Sequence, residues 1–194
     1  MNHKIENWFP KPIYYADNVC IDQLPTIEEV IRKIIKDSGT IKTDYLGVES
    51  THETENNLHE HPELKILVNN IFDHILQFSQ HLGYDPIDIF SMKMQMMWAN
   101  ISDQHGYNFT HTHAGSIFSG AYYIKTVPEN TITFFNNHET LLPAKHKNTI
   151  YSMNVVNYEC IPGRLILFKS DFPHGNVPQK QPGEKIVISF NVGY

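Results

Sequence analysis

Two short stretches of this 194-residue chain carry residue types that could do chemistry: Thr110-His111-Thr112-His113 and, far downstream, Phe172-Pro173-His174-Gly175. On an extended segment, side chains two residues apart share a face. His111 and His113 would then present two imidazoles side by side, the start of a metal clip. A third ring, from His174, would have to arrive on a strand folded back against them. Three imidazoles without a thiolate suit zinc, iron, copper or nickel. A structural zinc site is closed by four ligands, and the sequence offers no evident fourth. An open three-ligand face leaves positions for substrate and dioxygen, as in mononuclear non-haem iron. The alternative is two exposed rings and one core histidine.

Lys185 bears on that choice. It lies eleven residues after His174 and opens the apolar run Lys185-Ile186-Val187-Ile188-Ser189-Phe190. A cation entering such a strand needs an anionic partner if it is buried; at a strand end it can also sit in solvent. Beside a metal, the buried reading gains weight, because a dicarboxylate chelating the ion at one end needs a positive group at the other. Most of the twelve histidines must be bystanders. His59-Glu60-His61 lies in polar sequence without strand context, and His138 and His146 fall in another polar stretch; all read as solvated. Cys20 and Cys160 lack metal-ligand spacing and read as small buried hydrophobes.

The elements that must position these residues divide the chain in two. Trp8 to Tyr15, with two prolines and alternating aromatics, reads as an extended edge strand, at which a second copy of the chain could pair as a homodimer. Thr26 and Glu29 have capping-box spacing before the apolar stripe Ile27, Val30, Ile31, Ile34 and Ile35, with Gly39 placed to stop the helix. Pro62 suits the first turn of a second helix, whose face is Leu64, Leu67, Val68, Ile71, Ile75, Phe78 and Leu82, ending at Gly83. From residue 88 the period changes to two, and Phe90, Met92, Met94, Met96 and Trp98 read as the buried face of one strand. Further strands are expected at 117–125, 131–135, 149–158, 164–169, 174–177 and 185–192, with one near His111–His113. Many short strands separated by turns indicate a sandwich or barrel. Residues 40–61 and 136–148 are the long polar stretches able to act as lids. Phe90, Met96, Trp98 and Phe168 are candidates for an apolar pocket wall, although plain core packing would explain each.

The length fits a single domain, 1–194, with a strand and two covering helices over 1–86 and a β core over 87–194. A formal charge of −6 argues against nucleic acid as a partner. No apolar run reaches the roughly 20 residues of a membrane span. The amino terminus lacks a signal-peptide core, and two cysteines give no disulfide framework, so a reducing, cytoplasmic setting is expected.

Taken together, Phe9-Pro10-Lys11-Pro12-Ile13-Tyr14, Trp98-Ala99-Asn100, His111-Thr112-His113, Ser119-Gly120-Ala121-Tyr122-Tyr123, Pro162-Gly163-Arg164-Leu165-Ile166-Leu167-Phe168, Phe172-Pro173-His174 and Ile188-Ser189-Phe190-Asn191 resemble the 2-oxoglutarate/Fe(II)-dependent oxygenases. The match is closest to the small 2OG-Fe(II) oxygenase family of bacteria and phages. The resemblance implies a mainly β fold, a double-stranded β-helix of the jelly-roll or cupin-like type. It implies Fe(II) as cofactor, 2-oxoglutarate and dioxygen as cosubstrates, and hydroxylation of a substrate with release of succinate and CO2. It places His111 and His174 as iron ligands and Lys185 as the cation that pairs with the far carboxylate of 2-oxoglutarate. Asn100, Asn108 and Tyr123 fall where polar residues line the cosubstrate pocket. The wider superfamily has Asp or Glu where this chain has His113. Either His113 ligates, giving a three-histidine face, or it turns away and water takes its place; its bulk disfavours a halide there. Two other readings stay open: a cupin-type three-histidine metalloenzyme that does not use 2-oxoglutarate, and a non-catalytic β-barrel binding module.

Overall fold

The structure is a computed structural model and describes residues 4, 10–42, 47–136, 149–150 and 153–194. In chain order the strands are β1 (Ile13–Ala16), β2 (Ile41–Lys42), β3 (Val48–Ser50), β4 (Lys93–Ser102), β5 (Phe118–Lys125), β6 (Thr131–Phe135), β7 (Val155–Glu159), β8 (Leu165–Lys169), β9 (His174–Gly175) and β10 (Lys185–Gly193). The helices are α1 (Leu24–Ser38), α2 (Lys65–His81) and α3 (Pro86–Ser91). Seven strands form one sheet in the order β1-β8-β5-β10-β4-β3-β2, and β7-β6-β9 form a smaller one. All named pairings are antiparallel. The architecture is the expected double-stranded β-helix.

Each face of the large sheet has its own core. Ile31, Ile71, Ile75 and Phe78 from α1 and α2 pack on Phe118, Tyr122, Ile186, Ile188 and Phe190 of the outer face. Fully burying such side chains contributes about 1.5–3 kcal/mol each, which is why both helices are amphipathic covers. Between the sheets, Ala121, Ile132, Phe134, Ile166, Phe168 and Val187 form a second, smaller cluster. β10 serves both: Ile186, Ile188 and Phe190 face the helices, while Lys185, Val187 and Ser189 face inward and line a cavity.

Several expected details change. α1 starts at Leu24 with Gln23 at its N-cap and no side-chain cap bond, so Pro25 in the first turn, rather than a Thr26 capping box, starts the helix. Gly39, at φ 76°, stops it as expected. Pro62–Leu64 is a 3-10 turn leading into α2. The strand expected from residue 88 begins only at Lys93, because Asp85 caps α3 by accepting a hydrogen bond from the Ile87 amide. Phe90, on that helix, is 82% exposed and forms no pocket wall. The Phe90-to-Trp98 stripe also divides at Gln95. There the β4–β10 register slips between Asn191 and Val192, leaving Gln95 as an extra residue on β4. Met92, Met94, Met97 and Ala99 therefore pack toward the helices, while Trp98, Asn100 and Ser102 face the cavity. Residues 40–61 hold β2, β3 and a short 3-10 turn at Leu58–Glu60. His138 and His146 lie outside the described residues.

Candidate metal centre

His111 and His174 are brought together by main chain. Each donates its backbone N–H to the other's carbonyl, at 2.9 and 3.0 Å, as an isolated antiparallel bridge. Next to it, the Asn108 amide donates to Asn176 Oδ1 at 2.7 Å and the Asn176 amide to the Asn108 carbonyl at 3.2 Å. Gly175 makes this approach possible: a Cβ there would stand 2.8 Å from the Asn108 carbonyl oxygen. His113 is held separately, its amide donating to the Ser170 carbonyl at 2.8 Å. The His-x-His segment is thus a loop anchored at both histidines rather than the regular strand expected, yet its two rings converge, with centroids 5.0 Å apart.

The ring nitrogens of His111, His113 and His174 that could ligate an ion all lie within 4.8 Å of one another. His113 Nε2 and His174 Nε2 face each other at 3.3 Å. His111 Nδ1–H donates to the Phe109 carbonyl at 2.7 Å and His174 Nδ1–H to the Phe172 carbonyl at 2.9 Å. Those bonds fix the tautomer, with the proton on Nδ1 and the lone pair on Nε2. Burial first, then the neighbouring His111 and His52, pushes His113 down to about 4. His174 is pushed down to about 3, again chiefly by burial, against the opposing pull of the Phe172 carbonyl. Both are therefore neutral at pH 7. In the neutral pair the His113 Nε2–H can donate to the His174 Nε2 lone pair; with the His113 proton on Nδ1 instead, both nitrogens face one point and suit a shared cation. The donor set fits a divalent transition metal with one open side.

A cavity of about 750 Å³ opens from this cluster between the sheets. Lys185 lies in its lining and is only 5% exposed. No hydrogen bond or ion pair to it occurs among the described residues, and burial holds its ammonium below its ordinary value despite the nearby Cys160 thiol. Tyr123 and Cys160 are also buried in the lining. Burial, and then Cys160, raises the Tyr123 hydroxyl well above its ordinary value. Asn100 lines the cavity and donates to Ser189 Oγ at 3.0 Å, and Asn108 places its buried Oδ1 there without a partner. Of the expected wall residues, Trp98 and Phe168 belong to the lining; Phe90 and Met96 do not.

Two contributions escape the sequence reading. Ser102 pairs with Lys185 across β4 and β10, lines the cavity, and has a buried hydroxyl with no partner. His52 and Glu53, just after β3, also line the cavity. His52 packs edge-on against Trp98 at 4.9 Å, and Trp98 in turn lies 6.2 Å from His113. The strand pairing of β3, β4 and β10 is the signal that would have found Ser102, and it is not local in sequence.

The histidine cluster, opening into the cavity between the sheets of a double-stranded β-helix, is a group that could hold one metal ion. Residues 96–191 match the family described as "Putative 2OG-Fe(II) oxygenase", and the chain belongs to the 2-oxoglutarate/Fe(II)-dependent oxygenases. No curated protein matches the sequence significantly. Similar solved structures include HygX from Streptomyces hygroscopicus with nickel, 2-oxoglutarate and hygromycin B bound, at 10% identity and TM-score 0.65, covering 94% of this chain and 83% of that one. A Pseudomonas putida prolyl-4-hydroxylase matches at 10% identity and TM-score 0.63, covering 95% and 94%. A prolyl hydroxylase from Trichoplax adhaerens, in complex with a hypoxia inducible factor peptide fragment, matches at 12% identity and TM-score 0.65, covering 93% and 83%. At these identities the likeness is one of fold. No described helix is long and apolar enough to cross a membrane.

Proposed function

We propose that this oxygenase hydroxylates its substrate at a centre held by His111, His113 and His174, with 2-oxoglutarate anchored by Lys185. The observation that carries the reading is a buried ammonium, without a hydrogen-bond or ion-pair partner among the described residues, in the same cavity as three converging imidazoles. A buried cation of this kind needs an anion, and a diacid that chelates a metal with one end supplies it with the other. When bound, metal and cosubstrate supply the oxidising chemistry: dioxygen and 2-oxoglutarate give succinate and CO2, with one oxygen atom entering succinate and the other a substrate C–H bond.

The protein's part is positioning. The Phe109 and Phe172 carbonyls orient the His111 and His174 rings. Ser102, paired opposite Lys185 and likewise in the lining, would donate its hydroxyl to the same far carboxylate. Lysine holds that carboxylate as a point charge, so the hydroxyl adds direction that an arginine fork would otherwise give. Asn100, Asn108 and Tyr123 complete the polar lining. Phe168 packs on His174 with centroids 4.4 Å apart and keeps water from that side of the cluster.

Anaerobic titration with Fe(II) and then 2-oxoglutarate tests the reading. A weak visible charge-transfer band near roughly 500 nm is expected with the wild-type protein. Incubation with cell extract and dioxygen should then give succinate and a product heavier by one oxygen. A metal-bound protein that develops no band and makes no succinate would sink the proposal. Because His113 supplies an imidazole rather than a carboxylate, a second reading is a three-histidine metalloenzyme independent of 2-oxoglutarate. Under it, Lys185→Ala leaves turnover unchanged.

A further inference from the structure

We infer that the histidine face accepts one anion beyond 2-oxoglutarate, so that the prime substrate carries a carboxylate or comparable monoanionic group seated beside the metal. The inference rests on the reading above and follows from the charges that the cavity holds. A divalent ion and the Lys185 ammonium bring three positive charges, and 2-oxoglutarate cancels two. The three imidazoles are neutral donors. Among the described lining residues Glu53 is the only acidic side chain; it is exposed, as is its opposite-charge counterpart in the lining, Lys42. Among the described residues one positive charge is therefore left in a site walled by Trp98, Phe168 and Val187. Uncompensated charge is costly away from water, and a bound cation is the largest local charge in such a site. A carboxylate at position 113 would have cancelled it from within; His113 passes that task to a ligand. The cavity, about 750 Å³, has room for a second molecule beside a five-carbon diacid.

Co(II) in place of iron allows the test without turnover. The full-length protein is loaded with Co(II), then with 2-oxoglutarate, and titrated with sodium formate, sodium chloride or neutral formamide while the visible Co(II) absorption is followed. Formate is expected to give a saturable spectral change and formamide none. His113→Asp, which supplies the missing charge from the protein, should weaken the formate response by about tenfold or more. A response to formate but not chloride identifies a carboxylate-bearing substrate as the source; a response to both identifies a general monoanion site. Equal responses to formate and formamide, or no response to either anion, would overturn the inference while leaving the Co(II) and 2-oxoglutarate steps intact. Failure of those earlier steps would overturn the proposed function and this inference with it. Should His113→Asp not fold, the formate and formamide comparison on the wild-type protein still decides.

Discussion

The two ends of the cavity are built by different means. At the histidine end, His111 and His113 sit on a loop and His174 on the two-residue β9, and main-chain bonds such as the reciprocal His111–His174 pair place the rings. At the lysine end, the functional groups sit on regular strands, and the ladder that pairs Lys185 with Ser102 places them. The first design depends on a few backbone contacts and would be completed by an ion held between its rings. The second is fixed by a register spread over nine residue pairs and exists whether or not a ligand is bound. The histidine end is therefore expected to respond to metal, and the lysine end to cosubstrate, as separable units.

His174→Ala should produce the largest effect, weakening Co(II) binding by more than about a hundredfold in calorimetry. It removes a ligand and the ring on which Phe168 packs. Retention of wild-type affinity would show that the cluster is not the metal site. Lys185→Met sharpens the separation. Metal affinity should stay within about twofold, while 2-oxoglutarate affinity falls by about a hundredfold, in the range for losing one partner of a buried charge pair. The same change should raise the melting temperature of the ligand-free protein by a few degrees, since an unpaired buried cation is replaced by a methylene chain of similar size. A fall in metal affinity would mean that the two ends are coupled.

Ser102→Ala should cost about tenfold in 2-oxoglutarate affinity, the usual scale for a hydrogen bond to a charged group, with metal binding unchanged. An unaltered affinity would remove Ser102 from the site. The pH dependence of stability, a readout separate from affinity, tests the histidine end without any ligand. His113 and His174, at about 4 and about 3 when folded, are less basic than a free imidazole near 6.5. Between those values the unfolded chain binds more protons, so metal-free stability is flat above about pH 6.5 and declines as pH falls toward 4. Thermal melts across that range, with and without Co(II), would show it. A melting temperature that rises on acidification would contradict the burial of these rings.

The sequence shows the histidine end through residue type and spacing, which survive even though the segment is not a strand. His174 was placed by its flanking turn and apolar run, but nothing local states that its carbonyl and amide meet those of His111. The period of β10 turns Lys185 and Ser189 to one face, a local signal that the fold keeps. Ser102 stayed hidden because its meaning comes from a partner 83 positions away. The single extra residue at Gln95 shifts the phase of β4, so one alternating stripe in the sequence serves two cores in space. Asp85-Pro86 did carry a helix-start signal, and it outweighed the apparent alternation through Phe90.

Lys185 has a neighbour that looks the other way. Glu184, the residue just before β10, contacts Arg32 of α1 and Lys125 of β5. Adjacent residues of opposite sign are thus aimed at opposite sides of one strand, the acid moored to a surface helix and the ammonium turned inside. Single exposed ion pairs contribute little stability, but a mooring next to the grip restricts how far the strand's first residue can swing. The surface of α1 is in this way linked mechanically to the position of an ammonium in the interior.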